Sequence, residues 1–172
     1  MLLNLDTIPH FYKNYVKQIN ETDLILALRI SGNRAQEILH GVPMEKQDFK
    51  YGEDKWTVRE MLCHMIDAER IFAYRALRFA RNDQTPLVGF DEKLYAPEAN
   101  ATGRDLKSII AEMAHLRSST IDLFSGFSAD MLSRKGLANN NELSVASLGF
   151  IIAGHETHHV NVLTERYFSA WN

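Results

Sequence analysis

Apolar residues recur three and four positions apart over most of this chain, and alternation at every second position is rare. The pattern predicts helices, and four long ones can be placed. The first spans about Asp23 to His40, with Leu24, Leu28 and Ile38 on its inner side; Gly41 and Pro43 end it. The second opens at "WTVREML", where Thr57 and Glu60 have the spacing of a capping box, and continues through "CHMIDAERIFAYRALRFA" to about Arg81. The third covers about Arg104 to Ser125, with Gly126 at its end. A short helical turn at "SADMLSR" precedes the fourth, which takes Ser144 as N-cap and runs to about Phe168. All four prolines lie outside these segments. No Asn-Gly turn joins alternating segments, so "ANNNELS" reads as an ordinary loop between helices. The expected fold is all-α: one four-helix bundle over residues 1–172.

One connection departs from a simple up-and-down bundle. Residues 82–103, "NDQTPLVGFDEKLYAPEANATG", form a long irregular link between the second and third helices. A helix of 25 residues is about 37 Å long, and a stretched link of this length reaches roughly 70 Å. The link can therefore cross the whole bundle and let the two helices run parallel. Long loops in compact domains also serve as lids or binding loops.

Composition narrows the class without naming a function. The 172 residues, 45% apolar and 24% charged, suit one domain that buries about 70% of its unfolded surface. A net charge of −3 speaks against nucleic acid or an anionic membrane as partner. The single cysteine, Cys63, excludes a disulfide framework and a cysteine-based zinc site. The first residues lack a basic lead and a long apolar stretch, and no run of about 18 apolar residues occurs elsewhere. A cytoplasmic protein is expected.

Chemistry concentrates in "IIAGHETHHVNVLTERY", residues 151–167. On a helical wheel at about 100° per residue, Leu148, Ile152, His155, His159, Val162, Leu163 and Arg166 share one face. His155 and His159 lie near its middle, one turn apart, where two imidazoles can grip one ion. His158 turns toward the flank, and Glu156 sits about 80–100° from His155. A single inward histidine is usually a hydrogen-bonded core residue; a pair with a third alongside needs more partners than a core supplies. The motif also fits the zinc-protease pattern H-E-x-x-H, but the extended form requires Gly and His where Val162 and Glu165 stand, and the form with a distant glutamate draws it from well downstream, whereas 13 residues follow His159 here. A third ligand should come from a facing helix, and His64 in "LCHMIDAER" lies on an edge of an apolar sector. His10 and His40 sit near element ends and His115 in a polar stretch, so they are weaker candidates. Three histidines with an open fourth position are the layout of a catalytic metal.

With these residues in place, "KWTVREMLCHMIDAER", "TPLVGFDE", "LRSSTIDLF" and "GFIIAGHETHHVNVLTERY" together resemble the DinB-like superfamily. The resemblance covers nearly the whole chain. It implies a bundle of up-down-down-up topology, a divalent metal on His64, His155 and His159, and a homodimer. It leaves the activity open: some members are metal-dependent hydrolases by assignment, and others transfer a low-molecular-weight thiol to an electrophile or isomerise with one. Three imidazoles suit both, since a cation acidifies bound water and favours the thiolate form of a bound thiol. Thiol transfer to a small-molecule electrophile is the first expectation and hydrolysis the second; a metal-binding or stress-response bundle without turnover is the rival from another class. Zinc or nickel is favoured as the metal, with iron or manganese also compatible with imidazole.

Further assignments are smaller. Asp67, with Glu69 close by, can orient a ligand or simply be a solvated helix charge. Arg166 continues the line of His155 and His159 and can bind a carboxylate or an anionic thiol cofactor. Phe90 and Asp91 in "GFDE" can close over the metal, with Asp91 as a cofactor-binding residue. The stripe Ile71, Phe72 and Leu77 is expected in the core or a dimer surface.

Overall fold

The computed structural model describes residues 8–171, so residues 1–7 and 172 of the expected single domain lie outside the described residues. Four long helices dominate: α2 (Leu24–His40), α3 (Val58–Ala80), α5 (Leu106–Ser125) and α7 (Val145–Val162). Each starts where a short polar side chain meets the free amides of a first turn. Asp23 caps α2, Thr57 and Glu60 close the predicted capping box on α3, Asp105 caps α5, and Ser144 caps α7.

Pairs of touching residues fix the directions. Between α3 and α5, Arg59 donates to the Arg104 carbonyl, while Arg70 and Glu69 meet Glu112 and Arg117. Positions rise together along both helices, so they run parallel. Between α3 and α7, Trp56 just ahead of α3 meets Tyr167, His64 meets His159, and Phe72 meets His155, a falling order that marks an antiparallel pair. Gln36 reaches the Ile110 carbonyl while Ser31 meets Arg117, so α2 and α5 are also antiparallel. The bundle is up-down-down-up, the topology that the long crossover permits.

Smaller elements are where the structure departs from the expectation. The crossover carries a helix, α4 (Glu92–Glu98), and a 3₁₀ turn at Ala101–Gly103. A further helix, α1 (His10–Val16), packs on α7 ahead of the predicted bundle. The predicted turn at "SADMLSR" is α6 (Ala129–Ser133). The loop "ANNNELS" is instead the tip and second strand of an antiparallel hairpin, β1 (Lys135–Ala138) with β2 (Asn141–Ser144). Asn139 and Asn140 at its tip have φ of 49° and 58°. Both fall in the left-handed region that a tight two-residue hairpin turn demands, and asparagine tolerates it nearly as glycine does. Leu87 of the crossover bridges to Ala138, which ties the link to the hairpin. The fourth helix also ends earlier than predicted as α-helix, widening into a π-helical turn over Leu163–Tyr167.

The core is divided into two apolar clusters. One gathers Leu28, Phe72, Phe124 and Ile152; the other gathers Ala35, Met61, Ile109 and Val160. Between them lie buried polar residues: Ser31 of α2, Glu69 of α3, Arg117 of α5, and His155 and Glu156 of α7. A polar layer across a bundle is costly unless every group is paired. That layer contains the site.

Candidate metal centre

The antiparallel pairing of α3 and α7 brings the three predicted histidines together. The Nε2 atom of His155 stands 3.1 Å from Nε2 of His64 and 3.1 Å from Nε2 of His159. One ligand nitrogen from each lies within 4.8 Å of the others. His155 is buried, while His64 and His159 are half-buried and open to one side. Trp56 packs on His64 at 4.8 Å between ring centroids, and Tyr15 of α1 meets His155 edge-on at 5.2 Å. These aromatic contacts hold the rings in their facing orientation.

Electrostatics make all three neutral near pH 7. Burial, partly offset by the charge of Glu92, brings His64 down to about 4. His155 and His159 are lowered well below the ordinary value, first by burial and then by the other imidazoles. A neutral imidazole carries its proton on one ring nitrogen and a lone pair on the other, so Nε2 of His155 cannot make well-aligned hydrogen bonds to both neighbours at once, whichever tautomer it adopts. A cation satisfies all three lone pairs. Nitrogens bound tetrahedrally at about 2.0–2.1 Å stand about 3.3 Å apart, close to the 3.1 Å of the His64–His155 and His155–His159 pairs. The donor set and its geometry fit a divalent ion with one position left open.

That open side faces a cavity of about 190 Å³. Its walls come from elements distant in sequence. Phe11, Tyr12 and Tyr15 enter from α1, Trp56, Phe72 and Arg75 from the α3 region, Phe90 and Glu92 from the crossover, and Asn139 from the hairpin. Close backbone approach makes this possible at two glycines. A Cβ on Gly154 would lie 2.6 Å from the Tyr15 carbonyl group, and one on Gly89 would lie 2.5 Å from the Asn139 side chain. Most of these wall residues were not legible as such, because α1 and the hairpin were not expected. Phe72, expected in the core or a dimer surface, is buried and also forms a wall of this cavity.

Two carboxylates of the histidine motifs, Glu69 and Glu156, serve another purpose. Arg117 donates twice to Glu69, at 3.0 and 2.8 Å, and also to Glu156, Ser31 Oγ and the Leu28 carbonyl. Burial opposes its charge, but Glu156 and Glu69 outweigh that effect and hold it protonated. Glu156 is thus locked in the polar layer and lines neither the cavity nor the triad's open side. The zinc-protease reading, which needs this glutamate as base, has no support. Arg117 itself was missed; it stands in the largely polar stretch "HLRSSTIDL", where nothing in the sequence marks it as buried.

Other candidates fall outside the triad. Asp67 faces Arg70, Arg104 and Glu112, not the histidines; burial raises its pKa most. Arg166 is exposed and does not line the cavity, because the widened turn over Leu163–Tyr167 breaks the α-helical phase on which its alignment with His155 rested. Asp91 is exposed and caps α4 by accepting from the Lys93 amide, while its neighbours Phe90 and Glu92 face the cavity. His158 lies at the rim, 3.2 Å from the Gln18 amide, as the wheel implied. His10, His40 and His115 are exposed and apart. Cys63 is buried against Arg104, away from the cavity.

A four-helix bundle of this topology, with three convergent histidines beside a cavity, defines the class of protein. The chain belongs to the DinB superfamily, whose family model matches residues 27–163. It is 26% identical over 130 residues, 74% of each chain, to a protein of Oceanobacillus iheyensis that carries the provisional name of metal-dependent hydrolase. Among solved structures it resembles YfiT from Bacillus subtilis, also provisionally assigned as a metal-dependent hydrolase and described as an unusual four-helix bundle. The TM-score there is 0.76 at 18% identity, covering 87% of each chain. A mycothiol-dependent maleylpyruvate isomerase matches with a TM-score of 0.66 at 14% identity, over 92% of this chain and 62% of that one. Both structural likenesses speak for the fold. Among the described residues no helix is long and apolar enough to cross a membrane.

Proposed function

We propose that this protein is a metal-dependent hydrolase of a small molecule, with the ion held by His64, His155 and His159. The observation that carries it is the convergence of three neutral Nε2 atoms at one end of a cavity that also holds a carboxylate. A divalent cation bound there would polarise a carbonyl oxygen and acidify a water molecule. The chain supplies the rest. Glu92, on the first turn of α4, faces the cavity and can take a proton from an entering water. Phe11, Trp56, Phe72 and Phe90 restrict access of bulk water and offer an apolar bed for a short carbon skeleton.

Hydrolysis is preferred to thiol transfer for two reasons. The relative from Oceanobacillus iheyensis bears a hydrolase name. The described cavity walls carry a carboxylate, Glu92, suited to activating water. The test begins with metal analysis of untagged protein, followed by model esters and amides, and separately thiol plus electrophile. Turnover of an ester or amide that Glu92→Gln slows by roughly 10²-fold or more supports hydrolysis. Thiol conjugation without hydrolysis replaces it by transfer, and an accessible ion with neither activity replaces it by a binding role. A homodimer and a cytoplasmic location belong to the same proposal, and sedimentation and cell fractionation measure them.

A further inference from the structure

Three arginines are buried in the described structure, Arg59, Arg75 and Arg117. Two of them have carboxylate partners: Arg59 pairs with Asp48, and Arg117 with Glu69 and Glu156. Arg75 is the most deeply buried, at 3% exposure, yet among the described residues no carboxylate pairs with it. Its guanidinium donates to the Val88 carbonyl at 3.0 Å, meets the Tyr12 hydroxyl, and lies 5.8 Å from the Phe72 ring centre. A guanidinium carries five donors, so these contacts leave capacity unused. A buried charge without a counter-charge is strongly unfavourable unless something completes it.

Arg75 lines the same cavity as the histidine triad. It follows His64 by eleven residues on α3, three helical turns, so both project from one face. The Phe72 ring centre is 6.1 Å from that of His155, which places the Arg75 guanidinium carbon at most about 12 Å from the His155 ring. Glu92 faces this cavity too, and its charge is felt by Tyr12, Tyr15 and His64, but it forms no ion pair with Arg75. The cavity therefore has a metal-type donor set at one end, a fork-shaped cationic donor at the other, and aromatic walls between.

We propose that Arg75 is the anion-binding end of this cavity, and that the ligand is a small organic acid. Its carboxylate pairs with the guanidinium while its reactive group reaches the histidine triad. The fork geometry of arginine matches a carboxylate bidentately, and the aromatic walls suit a short carbon chain between the two ends. The volume of about 190 Å³ limits the ligand to one smaller than a drug-sized molecule. This assignment rests on the metal reading above for the identity of the reactive end, but not for the role of Arg75.

The test uses the full chain loaded with cobalt(II). It is titrated with malonate, succinate, glutarate and adipate, and with the monoacids of matching length, followed by calorimetry and by the visible spectrum of the cobalt. One dicarboxylate should bind roughly ten- to hundredfold more tightly than its monoacid, as a charge-assisted pair would give. Arg75→Met should abolish that advantage while the cobalt spectrum of the ligand-free protein shows an intact metal site, and Arg75→Lys should keep part of it. If Arg75→Met does not fold, the half methyl ester of the best diacid makes the same comparison on the native protein and should lose the advantage. Equal binding of monoacid and diacid, or an advantage that survives in Arg75→Met, overturns the proposal. Protein that takes up no cobalt would sink the metal reading alone. Calorimetry would then still have to show diacid binding by the native chain and none by Arg75→Met.

Discussion

Imidazole is a ligand only while it is neutral, and burial secures that state for all three residues of the triad. Replacing His64, His155 or His159 by alanine removes a donor from a set of three and should reduce bound metal by at least about tenfold. His158→Ala should leave it unchanged, because that ring meets Gln18 and Tyr15 at the rim. Metal content of the four variants checks this, and equal losses at His158 and His159 would contradict it. The same burial makes the metal-free protein sensitive to acid. His64 is brought from an ordinary 6.5 down to about 4 in the folded chain. Between those values the unfolded chain binds the extra proton, so stability is full above about pH 6.5 and falls as pH drops toward about 4. Denaturant melts of chelator-treated protein should show that decline, and a shallower one in His64→Asn. Identical slopes in the two proteins would remove His64 from the explanation.

The short elements, more than the long helices, finish the site. α1 lies against α7 because Gly154, immediately before His155, has no side chain. A Cβ there would meet the Tyr15 backbone at 2.6 Å, and a backbone group cannot swing aside. Gly154→Ala should therefore displace α1, cost about 1–3 kcal/mol of stability, and speed amide exchange in α1 while α3 and α5 stay protected. Denaturant unfolding with hydrogen exchange measures both; unchanged protection in α1 would show that the contact relaxes without consequence. The hairpin has a comparable role, since Asn139 at its tip reaches the cavity and packs on Gly89 of the crossover. Its signal was present as Asn139-Asn140, a less common form of the Asn-Gly turn.

On the scale of the whole bundle, Arg117 is the one side chain among the described residues that bonds to all the other long helices: Leu28 and Ser31 of α2, Glu69 of α3 and Glu156 of α7. Removing it would leave two buried carboxylates without a cation. Arg117→Met should destabilise the protein by roughly 3–5 kcal/mol, read as a lower denaturant midpoint; a change under about 1 kcal/mol would mean that the layer finds other partners. Because α3 and α7 also carry the three histidines proposed as metal ligands, an ion binding only the folded bundle would add to its stability. At a free metal concentration about a hundredfold above Kd the gain is about 2.7 kcal/mol. Chelation should accordingly lower the melting temperature by several degrees, and re-addition of metal should restore it. A melting temperature indifferent to chelator would argue against a bound ion.

The sequence by itself determined the four long helices, the caps at Thr57 and Ser144, the parallel run that the crossover permits, and the three histidines that meet. Those features follow from local chemistry and helical period: Thr57 and Glu60 satisfy amides three residues apart, and His155 and His159 share a face whatever surrounds them. The partnership of His64 with that pair was legible because two amphipathic faces must meet in a bundle. What only the tertiary structure decided were the choices among equivalent charges. Asp67, Glu69, Glu156 and Arg166 all stand close to the histidine motifs in sequence. Yet Glu69 and Glu156 bind Arg117 in the polar layer, Asp67 faces other arginines, and Arg166 leaves the line through a π-helical turn. Arg75 and Glu92 became cavity residues because α1, the crossover and the hairpin close around α3 and α7. A charge has no periodicity that reveals its partner. Its role is set by the desolvation it suffers and by the opposite charge it meets, and both exist only after chain segments far apart in sequence have packed together.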